Sequence, residues 1–188
     1  VGGRDRFVTG LLISRRMRDT SREIDRALVV SGWNWPDAVA AAPLASANSW
    51  PIVLADGNRL PGTSENILAE YGISRTLIVG GTEAVGPALD DALPGAYRVG
   101  GLDRYETAAL LAAYSLDEGL LPGRGIVATG RNFPDALSAG VLGGRARAPV
   151  LLVRTGDIPA SVRSYVTAHA ESITDLWLIG EEDVVSAD

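Results

Sequence analysis

Short apolar runs alternate with helical patterns along the whole chain. In the first half, runs with the composition of buried strands cover residues 27–30, 51–54 and 76–79. Between them, helical spacing or alanine-rich composition predicts helices that start near Phe7, at Asp37, at a Thr63 or Ser64 cap with a stop at Gly72, and near Pro87. Because the strands are apolar throughout and are separated by helices, the pattern predicts parallel sheets covered on both faces, which is an α/β fold.

The second half of the chain repeats this order 98 residues later. Residues 1–9 return as 99–107, and residues 31–38 return as 129–136. The pattern then predicts strands at 125–128, 149–152 and 176–179, and helices at 135–143 and 160–170. One spacing shared by two separate segments indicates a duplication, and 188 residues suffice for two units of about 100 residues. We therefore predict two small α/β units, residues 1–98 and 99–188, the second of which stops before the helix that closes the first.

Composition narrows the classes of function. The net charge of −6 weighs against general binding to nucleic acids. The absence of cysteine and the single histidine, His169, exclude a thiolate site and an imidazole cluster, so we predict no metal and no cofactor. The chain has neither a nucleophile motif such as Gly-x-Ser-x-Gly nor the full Gly-x-Gly-x-x-Gly phosphate fingerprint, and we predict no catalytic residues.

The ends and the longest apolar runs bear on targeting. The chain opens at Val1 without a methionine and without a basic-then-apolar leader. We expect it to be a processed or excised piece whose targeting signal lies outside it. No apolar run approaches the roughly 18 residues that cross a bilayer, so we predict no membrane span.

All 17 basic residues are arginine, and two of them recur at one position of the repeat. The planar fork of arginine suits carboxylate and phosphate groups, although a GC-rich genome produces the same bias. Arg6 and Arg104 each follow an aspartate, and Asp103 with Glu106 has the spacing of an acid-headed capping box. The first unit has Val8 in place of that glutamate, so reciprocal capping does not explain the recurring arginine. Two explanations stay open for it: contact with a ligand, or an ion pair between the units.

The second recurring motif is Asn-aromatic-Pro-Asp, at residues 34–37 and 132–135. Its proline suits the first helical position and holds the preceding aromatic residue outside the helix, and its aspartate suits the helix N-terminus. The motif follows a strand directly, and open parallel sheets bind ligands at the carboxyl ends of their strands. Aromatic faces with nearby amides suit carbohydrate. Surface binding and core packing stay open for the asparagines and the aromatic residues, namely Trp33, Asn34, Trp35, Asn132 and Phe133.

The same residues resemble the cell wall binding repeat 2 family. The resemblance rests on residues 98–108 and 129–139 and on the apolar runs 78–81 and 149–152, and it covers essentially the whole chain as two consecutive repeats. The chain departs from the family pattern at Phe7, Gly10, Trp35 and Glu181. Three of these four positions lie in the first repeat, which is therefore the more divergent one.

The resemblance implies small Rossmann-like units, commonly three in tandem around a pseudo-threefold axis, that attach a secreted protein to the wall of Gram-positive bacteria. It implies no enzymatic activity, a location at the cell wall or cell surface, and a partner that is an anionic polysaccharide or another peptidoglycan-linked polymer. Because two repeats are present here, a third repeat or a homo-oligomer stays open. The residues and the resemblance together give these candidates for ligand binding: Arg6, Trp33, Asn34, Trp35, Asp37, Arg98, Asp103, Arg104, Tyr105, Arg131, Asn132 and Asp135.

Two rival functions stand beside this one. In a structural role, the repeats assemble with one another or with other chains at the cell surface, and Arg6 and Arg104 lie buried at the interfaces. An enzyme that uses a nucleotide or a sugar in a Rossmann-like site is the weaker rival, because the chain lacks a constellation of acid, base and nucleophile.

Overall fold

The computed structural model describes residues 1–18, 23–182 and 185. The first repeat contains α1 (Arg6–Arg18), β1 (Arg26–Ser31), α2 (Trp35–Asn48), β2 (Ile52–Ala55), α3 (Gly62–Tyr71), β3 (Arg75–Val79), α4 (Ala88–Ala92) and β4 (Ala96–Val99). The second contains α5 (Arg104–Asp117), β5 (Arg124–Thr129), α6 (Pro134–Ala146), β6 (Val150–Val153), α7 (Ala160–Ala168) and β7 (Asp175–Ile179). No helix in the described part of the chain has the length and apolar character to span a membrane.

Each repeat builds one parallel sheet. The strand order is β2-β1-β3-β4 in the first repeat and β6-β5-β7 in the second. In β1, Leu28 and Val30 face one core, Ala27 and Val29 face another, and all four are fully buried. Since both faces of this sheet are covered, the strand is apolar at every one of these positions. The predicted fold class, α/β with tandem Rossmann-like units of parallel strands flanked by helices, is confirmed.

Coverage is less complete at the edge of the second sheet. Leu178 of β7 is 50% exposed, whereas its counterpart Ile78 of β3 is fully buried in a core that includes Leu89 of α4. Among the described residues, the second repeat has no counterpart of α4 or β4. The exposed side chain of Leu178 lies at the position that α4 helps to cover in the first repeat. The division of the chain at residue 98, which falls inside β4, stays a prediction.

The predicted cap of α3 is wrong, while its predicted stop is confirmed. The helix begins at Gly62 after Pro61 and has no side-chain cap. Ser64 lies in the first turn, where it is buried and its hydroxyl donates to the carbonyl of Leu54 in β2 at 2.7 Å. A buried hydroxyl is satisfied by the nearest acceptor, and here that acceptor belongs to the sheet. Gly72 ends the helix in the left-handed region at φ 66°.

The two proline helices begin differently. α2 includes Trp35, so the prediction that the aromatic residue lies outside the helix is wrong in the first repeat. Pro36 is tolerated at the second position because the first N–H groups of a helix have no helical acceptor to lose. In the second repeat Pro134 begins α6 and Phe133 stays outside, as predicted.

The two repeats meet chiefly through α2 and α6, the same helix in each repeat, and one core of buried residues runs through both. Glycines on α6 allow a close approach. A Cβ added to Gly140 would lie 3.0 Å from the Cβ of Ala42, and one added to Gly144 would lie 2.4 Å from the Cβ of Ser46. The second of these distances leaves no room for any side chain, so the helices pack backbone against side chain at this point.

A polar cluster joins the repeats at the other end of the first sheet. Arg26, at the start of β1, forms a salt bridge with Glu118 at the end of α5, with 2.5 Å between Nη1 and Oε1. The hydroxyl of Tyr114 donates to the same oxygen at 2.9 Å, and the amide of Asn48 donates to the carbonyl of Glu118 at 3.1 Å. The repeats are therefore held together by apolar packing and by a half-buried hydrogen-bonded ion pair.

Gly144→Ala should destabilise the protein, although alanine favours a helix over glycine by about 1 kcal/mol. The added methyl group would meet Ser46, and overpacking of this kind costs roughly 1–3 kcal/mol. Gly10→Ala in α1 is the matched control, because nothing lies within 4 Å of its added Cβ, and it should gain up to about 1 kcal/mol. Urea titration measures both free energies of unfolding. Equal stabilisation by the two substitutions would contradict the close contact between α2 and α6.

Candidate functional site

The loops after β1 and β5 lie at the carboxyl ends of the central strands and are anchored in the same way in both repeats. The hydroxyl of Ser31 accepts the N–H groups of Trp33 and Asn34, each at 3.2 Å. In the second repeat the hydroxyl of Thr129 accepts the N–H of Arg131 at 3.1 Å. The first residues of each loop are thus held by the strand that precedes them.

The aspartates at the starts of α1 and α5 act as helix caps. Asp5 accepts the N–H of Val8 at 2.8 Å, and Asp103 accepts those of Tyr105 and Glu106 at 2.9 and 2.8 Å. The carboxylate of Glu106 in turn accepts the N–H of Leu102 at 2.6 Å, one residue before the cap. The predicted capping by Asp103 is confirmed, with the return hydrogen bond displaced by one residue.

The recurring arginines tie these helix starts to the loops. Nη1 of Arg104 donates to the carbonyl of Gly130 at 2.7 Å, and Nη1 of Arg6 donates to that of Gly32 at 2.5 Å. Because each strand has just ended, these carbonyls have no strand partner, and the arginine satisfies them. The recurrence therefore has a folding explanation that sequence reasoning did not find. A structural role predicts that both arginines are buried. Arg104 is half-buried and meets this expectation in part, whereas Arg6 is exposed and does not meet it.

Arg104 also reaches the other repeat. Its guanidinium carbon lies 5.7 Å from the ring centre of Trp35, and the ring of Trp35 meets Phe133 edge-on at 6.4 Å. Asp37, next to them on α2, is only 4% exposed. Burial raises the pKa of Asp37 to about 6, and the positive charge of Arg104 acts in the opposite direction. Arg104, Trp35 and Asp37 therefore form a contact between the repeats, whereas the equivalent Asp135 is only half-buried.

Two other predicted residues are used within the chain. Tyr105 is 9% exposed and belongs to the shared core, with Arg154 4.6 Å from its ring centre. Arg98 donates to both carboxylate oxygens of Asp90, at 2.9 and 2.6 Å, and to the carbonyl of Gly80 at 2.8 Å. Tyr105 therefore packs in the core, and Arg98 is engaged by a carboxylate and a carbonyl of its own repeat.

The remaining predicted residues form the exposed part of the site. Trp33 is 62% exposed, and Asn34, Arg131 and Asn132 are exposed as well. Within the described residues, neither asparagine carboxamide has a hydrogen-bonding partner, and Arg131 has no acidic partner. Phe133 is 55% exposed. These are the groups free to meet a ligand.

Sequence reasoning missed two ion pairs beside these loops. Asp56 pairs with Arg59 after β2, with Oδ2 and Nη2 2.5 Å apart, and Arg154 pairs with Asp157 after β6 at 2.9 Å. Each pair closes a short turn through an antiparallel bridge. The signal available in the sequence was the 98-residue register, which aligns Asp56 with Arg154 and Arg59 with Asp157.

Asp37→Asn should change how stability depends on pH. The folded state holds the proton of Asp37 up to about pH 6, whereas an unfolded aspartate releases it near pH 3.9, so the free energy of unfolding should fall as the pH rises from about 4 to above 6. The variant should lack this loss and exceed the parent at pH 7.5 by up to about 3 kcal/mol. Denaturant titrations from pH 4 to 8 measure the difference. Asp135→Asn, at the half-buried equivalent position, is the control; the same pH-dependent gain in both variants would refute the assignment to burial of Asp37.

Comparison with known proteins gives the chain a family. The model of the Cell wall binding domain 2 (CWB2) family matches residues 1–90 and 98–188. The chain is 24% identical to the N-acetylmuramoyl-L-alanine amidase LytC and 25% identical to the amidase enhancer of Bacillus subtilis (strain 168), over 99% and 100% of its length. It spans only 36% and 25% of those two proteins.

Two solved structures have the same fold. Cwp6 from Clostridium difficile superposes with a TM-score of 0.87 at 25% identity, and Cwp8 from the same organism with a TM-score of 0.80 at 26% identity. The matches cover 99% and 98% of this chain, and 29% and 31% of the two proteins. The chain therefore belongs to the Cell wall binding domain 2 family and is a cell-wall-binding module.

Proposed function

We propose that this chain is a non-catalytic module that holds a secreted protein on the wall of a Gram-positive bacterium by binding an anionic polymer or glycan of that wall. The observation that carries the proposal is the pair of equivalent loops after β1 and β5. They present exposed Trp33 and Asn34 in the first repeat, and Arg131, Asn132 and Phe133 in the second.

The chemistry of these groups suits a charged glycan. Aromatic faces pack on the apolar faces of sugar rings, carboxamides exchange hydrogen bonds with hydroxyl groups, and guanidinium forks pair with phosphate or carboxylate. The net charge of −6 means that attraction to an anionic polymer must be local, and salt should weaken it. Two weak sites on one chain raise the avidity for a polymer without a deep pocket.

The relatives support a wall context. These two proteins are an amidase and an amidase enhancer, and the region that they share with this chain is the part that matches the wall-binding family. We propose that any catalysis in a protein that carries this chain resides outside the residues matched here.

Binding to walls should depend on the free asparagines. The chain should sediment with isolated Gram-positive walls, less so at 500 mM than at about 50 mM salt, and less so after the anionic polymers are stripped from the walls. Each hydrogen bond contributes about 0.5–1.5 kcal/mol, so the double substitution Asn34→Ala and Asn132→Ala should weaken binding by about 5-fold or more. Asn66→Ala on the exposed surface of α3 is the control. Full binding to stripped walls, or equal effects of the control, would argue against the proposal.

A second role, assembly of repeats, is favoured by the uncovered face of α6. Val39 and Pro43 of α2 are buried against the second repeat, and their counterparts Leu137 and Val141 of α6 are 56% and 67% exposed. An apolar helical face of this kind is typical of an interaction surface. Within the described residues, α2 packs against the second repeat at these positions, whereas no element covers the equivalent positions of α6.

A groove of a size to receive a helix from another repeat lies in the first repeat. A cavity of about 640 Å³ opens between α1 and α2, lined in part by Gly10, Ile13, Ala42 and Ala45. In the second repeat the corresponding place between α5 and α6 is occupied by α2. We infer that another repeat of the same fold occupies the groove and covers α6.

Val141→Arg should disrupt this contact. At high concentration the unsubstituted chain should associate through the α6 face, as measured by sedimentation equilibrium, because apolar burial there is favourable. The charged side chain should abolish the association. Leu102→Arg, at a position 99% exposed outside the face, should leave it intact. A chain that stays monomeric, with Val141→Arg indistinguishable from it, would contradict this role.

A further inference from the structure

The two repeats carry different chemistry at equivalent positions of the same loop. The 98-residue register places Trp33 of the first repeat at the position of Arg131 in the second. It also places Asp56 at the position of Arg154, and Arg59 at that of Asp157, so the neighbouring ion pair is reversed. The scaffold is repeated while the charge beside the loop changes sign.

In the first repeat the exposed indole is fixed in place. Nε1 of Trp33 donates to Oδ1 of Asp56 at 2.8 Å, and the guanidinium carbon of Arg6 lies 4.4 Å from the ring centre. Phe7 meets the indole edge-on at 6.0 Å. The hydrogen bonds from Trp33 and Arg59 hold the pKa of Asp56 below its usual range, so the acceptor is a carboxylate. A large aromatic side chain that is 62% exposed and held by several contacts needs little further ordering before it meets a sugar ring.

In the second repeat the same two positions hold cations. The side chains at 33 and 56 touch in the first repeat, and their counterparts are Arg131 and Arg154. Arg154 is paired, with Asp157 at 2.9 Å and Asp103 at 3.7 Å. Arg131 is exposed and has no acidic partner in the described ranges. The two arginines follow the adjacent strands β5 and β6, and guanidinium groups pair well with phosphate and carboxylate.

We propose that the two loops bind different parts of one glycan: the loop at Trp33 stacks on an uncharged sugar ring, and the loop at Arg131 binds its phosphate or carboxylate group. This division deepens the proposed function and rests on it. The polymer that fits both loops carries rings and anionic groups along the same chain, and the packing of α2 against α6 sets the spacing at which it must present them.

Three defined probes separate the two loops. A β-1,4-linked N-acetylglucosamine tetramer offers rings without charge, polyglycerol phosphate offers phosphate without rings, and polygalacturonate offers carboxylate on rings. Amide and indole NMR titrations of the whole chain report binding at each loop. Arg131→Ala should weaken binding of both polyanions by about 5-fold or more and leave the tetramer unchanged, because one charge-assisted contact is lost. Trp33→Ala should remove binding of the tetramer and leave polyglycerol phosphate unchanged.

Conservative and distant variants guard against indirect effects. Trp33→Phe keeps a stacking face and should retain the tetramer, whereas Arg131→Lys keeps the charge and should retain part of the affinity for the polyanions. Arg145→Ala, an exposed arginine in the last turn of α6, and Tyr97→Ala, an aromatic residue 59% exposed on β4, are the matched controls. Stronger binding of polyglycerol phosphate than of polygalacturonate to the loop at Arg131 identifies phosphate as its ligand, and the reverse identifies carboxylate.

The outcomes show separately whether the two loops bind different parts of the glycan and whether the chain binds wall polymers at all. If all three probes bind and Trp33→Ala and Arg131→Ala lower the affinity for each of them equally, the loops do not divide the ligand and the proposal is overturned, while polymer binding stands. If no probe binds and walls do not sediment the chain, the proposed function itself fails. Loss of the polyanions alone in Arg131→Ala, together with loss of the tetramer but not of polyglycerol phosphate in Trp33→Ala, supports the proposal.

Discussion

The close contact between α2 and α6 is the constraint on which the other features depend. Glycines at positions 140 and 144 bring the two helices together, and this contact completes a core that neither repeat builds alone. It also carries Trp35 and Asp37 of one repeat to Arg104 of the other. The loops after β1 and β5 are thereby fixed relative to each other. A ligand that meets both loops does not have to order them first, so less of its binding free energy is lost to ordering.

Much of the fold could be predicted because the signals are local. The apolar runs that are buried on both faces, the cap at Asp103 and the stop at Gly72 each follow from residues close together in sequence. The cap of α3 could not be predicted in the same way, because Ser64 is satisfied by a carbonyl of β2 and not by its own helix. Local propensity does not contain that information, since the acceptor is supplied by the sheet.

The sequence predicts where the candidate site lies better than it predicts which contacts the residues of the site make. The strand-end loops were expected at the carboxyl edge of the sheets, and they lie there with Trp33 and Arg131 exposed. The burial of Asp37 and Tyr105, and the use of Arg98 by Asp90, depend on packing between elements far apart in the chain. The recurrence of Arg6 and Arg104 could not be explained from the sequence, because each donates to a backbone carbonyl 26 residues away, just after the end of a strand.

Comparison of the two repeats shows which features the fold requires and which features can differ. The turns after β2 and β6 are each closed by one aspartate and one arginine, in opposite order. An exposed ion pair of this kind contributes at most about 1 kcal/mol, and its contribution is similar whichever residue comes first. Folding therefore does not distinguish the two orders, yet the order decides whether a carboxylate or a guanidinium stands beside the loop. In the turn after β2 the carboxylate of Asp56 comes first and accepts a hydrogen bond from the indole of Trp33. In the turn after β6 the guanidinium of Arg154 comes first and adds a second cation next to the loop that carries Arg131. The order of aspartate and arginine in the turn therefore changes the charge of the surface that a ligand meets, and the two repeats differ there in the chemical groups that they can bind.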